Sequence, residues 1–316
     1  MVVSQTDPFD IFSLEARGNH ALYARMRRED PIHRALDPRT GAMIDQRELM
    51  TRLARKRVVL LGETHNVDEI HRWQLHVAAY LHHLRPDLVM GFEMFPRRVQ
   101  PVLDRWVDGA FSTAEFLTAV DWPKVWGFDP ELYLPLFHFC RQQRVRMFAL
   151  NCERPLVTRV GVEGWDAIPV GERDGLTPSA DATPAYRRYL FSLVGSTERA
   201  GPFGAQGPDD PAFDRFVRAQ QCWDRAFACN IARAFAGSDG EPLMVGIIGR
   251  GHLEYGHGTP LQLADLRIND VAVLLPIDRA EHQSEALRGL ADAIFRLDRP
   301  EPPRARQDRI VRAVPQ

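Results

Sequence analysis

Two short segments of this chain share one pattern, and each supplies an imidazole: Gly62-Glu63-Thr64-His65 and Gly249-Arg250-Gly251-His252. Each follows an apolar run, Val58-Val59-Leu60-Leu61 in the first case and Met244-Val245-Gly246-Ile247-Ile248 in the second. A third run ends in Gly91-Phe92-Glu93, and a fourth, Val145 to Leu150, leads into Asn151 with Arg154 just beyond. Imidazole nitrogens and carboxylate oxygens together suit a divalent first-row metal such as iron, manganese, cobalt or zinc. The expected ligands are His65, Glu93, His252 and Glu63, with donor atoms able to meet one ion at about 2.0 to 2.2 Å or lying a small rotamer change away from doing so. Glu63 would also act as general base toward a metal-bound water, and Arg154 would hold an anionic substrate or developing negative charge. One Gly-x-x-His alone would more simply bond a carbonyl or cap a helix. Its repetition at two strand ends, with a carboxylate at a third, is what points to a shared site.

Other groups fall beside this set. His71 and Gln74 lie three apart, so they neighbour each other on a helix surface and would orient the ligands by hydrogen bonds. The loop Leu253-Glu254-Tyr255-Gly256-His257-Gly258-Thr259-Pro260 presents a phenol and an imidazole, and Tyr255 and His257 are residue types that ligate haem iron. There is no Gly-x-Ser-x-Gly elbow and no phosphate-loop lysine motif, so serine-esterase and nucleotide-kinase chemistry lack their usual signatures.

The apolar runs imply the scaffold that positions these groups. Continuous rather than alternating hydrophobicity reads as strands buried on both faces of a parallel sheet. Val271 to Leu275 is a fifth run of this kind. Between the first two, Ile70, Trp73, Val77, Tyr80, Leu81 and Leu84 recur at helical spacing over Asp68 to Leu84, which makes a βαβ unit. Pro130 to Gln143 reads as the helix before the strand at Val145. Arg47 to Arg55 reads as a short helix, and Ile32 to Ile44 as a small hairpin around Asp37-Pro38-Arg39-Thr40-Gly41. The insertion from Arg154 to Glu241 exceeds a plain crossover and needs helices of its own. One has a face of Phe213, Phe216, Val217, Gln220, Trp223, Phe227, Ile231 and Ala234, and another carries Tyr186, Tyr189, Leu190 and Leu193. A last short helix is expected between Pro276 and Ile294. The fold class is α/β: a mostly parallel central sheet flanked by helices, with an N-terminal hairpin and a helical insertion. Residues 1–30 read as an extension, 31–298 as one α/β domain and 299–316 as a flexible tail. In an open parallel sheet the carboxyl ends of the strands open on one crevice, so the candidate residues should face one another there.

Composition narrows the partners. The 316 residues are 45% hydrophobic and 26% charged, which describes a globular chain able to bury a core. The 40 basic and 42 acidic residues nearly cancel, leaving no basic field for a nucleic-acid backbone or an anionic membrane face. No apolar run reaches the ~18 residues needed to cross a bilayer, and the N-terminus lacks a secretory pattern, so a cytoplasmic location is expected. Cys140, Cys152, Cys222 and Cys229 lack metal or disulfide spacing and read as buried thiols.

The blocks taken together resemble the ChaN-like proteins, the haem-binding uptake proteins of the Tiki superfamily. The likeness runs from Asp37-Pro38-Arg39-Thr40-Gly41 and Gly62-Glu63-Thr64-His65 with His71 and Gln74, through Gly91-Phe92-Glu93-Met94-Phe95 and Trp126-Gly127-Phe128 with Tyr133. It continues through Asn151 with Arg154, Gln220 with Trp223-Asp224, and Gly249-Arg250-Gly251-His252 with Gly256-His257-Gly258-Thr259-Pro260. The resemblance implies an association with haem or iron, in a pocket over the carboxyl edge of the sheet with Glu254 to Pro260 on its rim. It adds Gln220, Asp224 and Asn151 to the pocket. In the wider superfamily, with its erythromycin-esterase-like and Tiki-type members, the paired motifs and a glutamate form a metal-dependent hydrolytic centre. Those positions are His65, His252 and Glu93, with Glu63 adjacent, so a metal-dependent hydrolase of unknown substrate is the alternative. A binding scaffold with a degenerate site is a third reading, opposed by the intact Glu and His set. Expected partners are haem or a small molecule, and a second copy of the chain in a homodimer. Two departures stand out: relatives linked to haem uptake are typically lipoproteins and this chain has no lipobox, and Asn66 stands where the family usually has an acidic residue.

Overall fold

The computed structural model describes residues 35–195, 201–236, 240–277 and 287–297. The expected extension over 1–30, the first residues of the hairpin, and the expected tail over 299–316 lie outside these residues.

Ala35–Leu36 (β1) and Met43–Ile44 (β2) pair antiparallel across the Asp37 turn, where the Asp37 carboxylate accepts the Arg39 amide at 2.8 Å. The remaining strands are Val58–Glu63 (β3), Val89–Pro96 (β4), Met147–Asn151 (β5), Met244–Gly249 (β6), Val271–Ile277 (β7) and Ala293–Arg296 (β8). They form one sheet in the order β2-β1-β8-β7-β3-β6-β4-β5. From β8 to β5 every pairing is parallel, and only β1 runs against its neighbours. β3 and β6 are adjacent and in register, with Glu63 opposite Gly249, so both Gly-x-x-His motifs leave the sheet side by side.

The helices cover both faces, as a parallel sheet requires. On one face lie Gln46–Leu53 (α1), Asp68–Leu84 (α2), Gln100–Val107 (α3), Thr113–Ala119 (α4), Trp122–Val125 (α5) and Leu134–Gln143 (α6). They pack with Val59 and Leu61 of β3 in an aromatic-rich core that includes Phe92, Phe95, Trp106, Phe116 and Phe137. The alternate residues of β3, Val58 and Leu60, face a second core with Phe227 and Ile231. The insertion supplies Arg154–Glu163 (α7), Pro184–Val194 (α8) and the long Asp214–Ala236 (α9), and Thr259–Asp265 (α10) follows β6. At about 1.5–3 kcal/mol for each buried large apolar side chain, these two cores hold the strand ends in place.

Two expectations change. Of the expected last helix, residues 278–286 lie outside the described residues, and its final residues Ala293 and Ile294 belong instead to strand β8, because Ala293, Ile294 and Phe295 are buried between β7 and β1 and gain ladder bonds on both sides. β4 runs on past Phe92 to Pro96 with a register shift against β5, so Glu93 belongs to the strand itself. The helices α3, α4 and α5 between β4 and α6 have no counterpart in the sequence reading.

Candidate functional site

The carboxyl ends of β3, β6, β4 and β5 open on a cleft of about 330 Å³. Its lining includes His65, Glu93, Asn151, Arg154 and His252, with Trp126, Phe128 and Trp223 as aromatic walls.

His65 and His252 are held in the same way. His65 Nδ1 donates to Glu63 Oε1 at 2.8 Å, and the same oxygen accepts the Tyr133 hydroxyl at 2.8 Å. His252 Nδ1 donates to Asp224 Oδ1 at 2.7 Å, and Asp224 Oδ2 accepts the Tyr186 hydroxyl at 2.5 Å. Each imidazole is thus the outer member of a buried tyrosine, carboxylate and histidine chain. Bonding at Nδ1 fixes the tautomer and leaves Nε2 for the cleft. Trp126 and Phe128 flank the His65 ring at 4.8 and 5.1 Å, and Phe227 meets the His252 ring edge-on at 5.2 Å.

Glu63 sits beneath the cleft. Its second oxygen accepts Gln74 Nε2 at 3.1 Å and lies 3.6 Å from His71 Nδ1, while His71 Nε2 donates to the His65 carbonyl at 3.1 Å. Helix α2 therefore returns its His71 and Gln74 to brace the end of β3. Burial opposes ionisation of Glu63, but His71, His65 and the Tyr133 hydroxyl outweigh it and bring its pKa down to about 2. Burial also opposes charge on the two imidazoles. For His65 the Glu63 bond and the nearby Glu93 prevail, for His252 the Asp224 carboxylate and Glu93 prevail, and both pKa values rise above the ordinary 6.5. Burial keeps the Tyr133 and Tyr186 hydroxyls protonated donors by pushing their pKa values well above 10.

Glu93 lies between the two imidazoles. Its Oε2 accepts the Gly249 amide, and its Oε1 is 4.0 Å from His252 Nε2. Gly249 has no space for a side chain: a Cβ would sit 2.9 Å from His65 Cε1 and 3.2 Å from Glu93 Oε2. Asn151 donates to the Glu93 carbonyl at 2.8 Å and so joins β5 to β4 at the cleft floor.

His65, Glu93 and His252 of the expected ligand set face the same cleft, whereas Glu63 does not line it. Both oxygens of Glu63 are committed beneath the cleft. Among the described residues no group of three or more His, Cys, Asp or Glu side chains is arranged to hold a metal ion. Tyr255 and His257 are also not part of the cleft lining. They lie on the far side of the Asp224 and His252 pair, in a cluster with α8. The Tyr255 ring meets Tyr189 at 5.7 Å, and His257 meets Tyr186 at 5.4 Å and Tyr189 at 5.8 Å. Gly258 permits this turn, with φ of +58° and a Cβ position only 2.5 Å from the His252 carbonyl. Gln220 lines a neighbouring groove together with Arg154 and Trp223. The sequence reading missed the part of Tyr186 altogether, since its contact with Asp224 joins two helices 38 residues apart and follows no local pattern.

No helix among the described residues is long and apolar enough to cross a membrane. In structure the chain is similar to ChaN of Campylobacter jejuni, solved for cofacial haem binding. The two are 19% identical with a TM-score of 0.64, over 83% of this chain and 95% of that one, which shows a shared fold. A looser likeness, with a TM-score of 0.45 and 13% identity over 77% of each chain, is to a mutant of the erythromycin esterase EreC, and nothing about the site rests on it. In sequence the chain is 24% identical over 264 residues to Protein RETICULATA-RELATED 5, chloroplastic, of Arabidopsis thaliana. That match takes in 79% of this chain and 35% of the relative, so the chain spans about a third of that protein. The model of one family matches residues 49–263, two thirds of the chain, and by that match this protein belongs to the haem-binding uptake, Tiki superfamily, ChaN family.

Proposed function

We propose that the protein binds haem on the aromatic cluster around Tyr255, with the Tyr255 phenol as the iron ligand. The observation that carries this reading is the state of Tyr255 itself: 40% exposed and held at φ of +59°. A bulky residue in the left-handed region is strained, and such strain persists where the surrounding structure enforces it for a use. The group fits the residues present. Tyr189 and His257 offer ring surface to a flat macrocycle, and Leu193, 53% exposed at the end of α8, extends it. Burial pushes the His257 pKa down, which keeps this imidazole neutral at pH 7. When bound, haem would supply an iron centre whose spectrum reports its ligand. Burial and the neighbouring Glu254 raise the Tyr255 pKa while Arg250 opposes them, so the phenol needs the ferric ion to lose its proton near neutrality. Family membership supports haem as the ligand. Hemin titration tests it: a saturable Soret shift at micromolar protein is expected, with the tyrosinate signature lost in Tyr255→Phe and retained in His65→Ala. No shift, or one unchanged by Tyr255→Phe, ends this assignment.

A second reading, acid–base hydrolysis in the cleft, is favoured by the two matched histidine chains. One imidazole Nε2 would take a proton from water as the other returns one to the leaving group, with Glu93 between them favouring the imidazolium. Turnover of p-nitrophenyl butyrate is expected to fall by about 100-fold or more in His65→Ala and in His252→Ala. Turnover that survives both substitutions would refute it.

A further inference from the structure

Beside the cleft, between α7 and α9, runs a groove of about 250 Å³ walled by Val157, Gly161, Phe216, Ala219 and Trp223. It is not a separate space, because Arg154 and Trp223 line both the groove and the cleft. The two helices meet closely at Gly161, where a Cβ would come within 3.0 Å of the Arg215 carbonyl, so the groove floor is fixed by the helix pairing. At its end Arg215 lies over the ring of Phe203, 4.3 Å from the centroid.

Charge around this junction is uneven. Arg98 pairs with Glu153 at 2.7 Å and Lys124 with Asp121 at 2.7 Å, so those cleft-lining charges are answered. Arg154 is exposed, and among the described residues its guanidinium has no hydrogen bond or ion pair. An unpaired planar cation at the point where a polar cleft meets an apolar groove is complementary to one type of molecule: an acid group attached to an apolar chain.

We propose that this junction binds an anionic amphiphile, with its carboxylate or phosphate on Arg154, its apolar chain along Val157, Ala219, Phe216 and Trp223, and the adjoining polar part in the His65, Glu93 and His252 cleft. It deepens the hydrolytic reading, on which it rests, by naming the substrate class. Haem is a different occupant at a different place, beyond Asp224.

The test is calorimetric binding of dodecanoate below its micellar concentration to the full chain. One saturable site is expected, at least tenfold weaker in Arg154→Gln, largely restored in Arg154→Lys, and at least tenfold weaker in Thr158→Trp, which fills the groove from its exposed edge. Butyrate and dodecyltrimethylammonium, which lack the chain or the acid, should bind at least tenfold more weakly than dodecanoate. Equal binding of dodecanoate to wild type and Arg154→Gln, equal binding of the cationic amphiphile, or no saturable binding overturns the proposal. So does stoichiometric displacement of dodecanoate by hemin, which would assign the groove to haem. Because these are binding readouts, they separate from the ester assay: dodecanoate binding without ester turnover leaves the site standing and removes the hydrolytic reading, and turnover without dodecanoate binding does the reverse.

Discussion

Asp224 Oδ1 lies 2.7 Å from His252 Nδ1, and it reaches that position from the middle of a 23-residue helix in the insertion. The carboxylate is fully buried, yet it accepts from His252, from Tyr186 and, at 3.3 Å, from Thr259. The insertion therefore completes the site of the sheet, and the second Gly-x-x-His motif depends on a helix that precedes it by 28 residues.

Asp224→Asn should cost about 2–3 kcal/mol in stability, because it keeps the shape but removes the charge that answers His252 and its neighbours. In the same variant the His252 pKa should fall, as the attraction and hydrogen bond that raise it are lost. Urea unfolding and the titration of the His252 ring protons by NMR measure the two effects. An unchanged His252 titration would show that Asp224 does not control it.

Stability should be highest between about pH 4.5 and 6.5 and fall on either side. Glu63 titrates near 2 in the folded state against an ordinary 4.5, so its contribution is complete above 4.5 and is lost as pH falls toward 2. His65 and His252 have raised folded values, so their contribution is complete below 6.5 and is lost as pH rises through those values. Urea midpoints across pH 3 to 9 test the profile. Tyr133→Phe should lower stability above pH 4.5 and flatten the acid limb, since it removes one hydrogen bond to the Glu63 carboxylate, worth about 1.5–3 kcal/mol, and so lets the folded pKa of Glu63 rise toward 4.5.

Gly249→Ala should destabilise the fold by about 1–3 kcal/mol and displace His65, Glu93 or both from the cleft. An alanine here would also press on the carboxylate that accepts the Gly249 amide. Thermal unfolding measures the cost, and ester turnover should drop together with it. Wild-type stability in this variant would mean that the strand ends are looser than the contacts imply.

The four cysteines should be inert in the native protein. All are buried and free. Burial pushes the Cys140 thiol up, and a hydrogen bond from the Cys152 thiol to Cys222 together with burial does the same for Cys152. Reaction with Ellman's reagent at pH 8 should release no fast thiol before denaturation and four after it. A fast native phase that disappears in Cys152→Ser would show that the cleft admits the reagent to that thiol.

By itself the sequence determined the sheet strands β3 to β7, the α2 crossover and the positions of His65, Asn151 and His252 at strand ends, while Glu93, expected at the end of its strand, lies within β4. It could do so because continuous apolar runs and helical periodicity are local consequences of burial on a parallel sheet. The last strand in the chain, β8, escaped this logic, since the four residues Ala293 to Arg296 are too short to display a period and are strand only because β7 and β1 flank them. Only the tertiary structure decided what the motif residues do. Glu63 and His65 are two apart in the chain, yet the fold turns one beneath the cleft and the other into it, and hydrogen bonds from Tyr133 and Gln74 hold Glu63 there. Tyr255 and His257 follow His252 closely in sequence, but the turn at Gly258 and the packing of α8 carry them to the other side of Asp224. Strand ends are fixed by pairing that sequence pattern encodes, whereas the direction of a side chain beyond a strand end is set by partners tens of residues away.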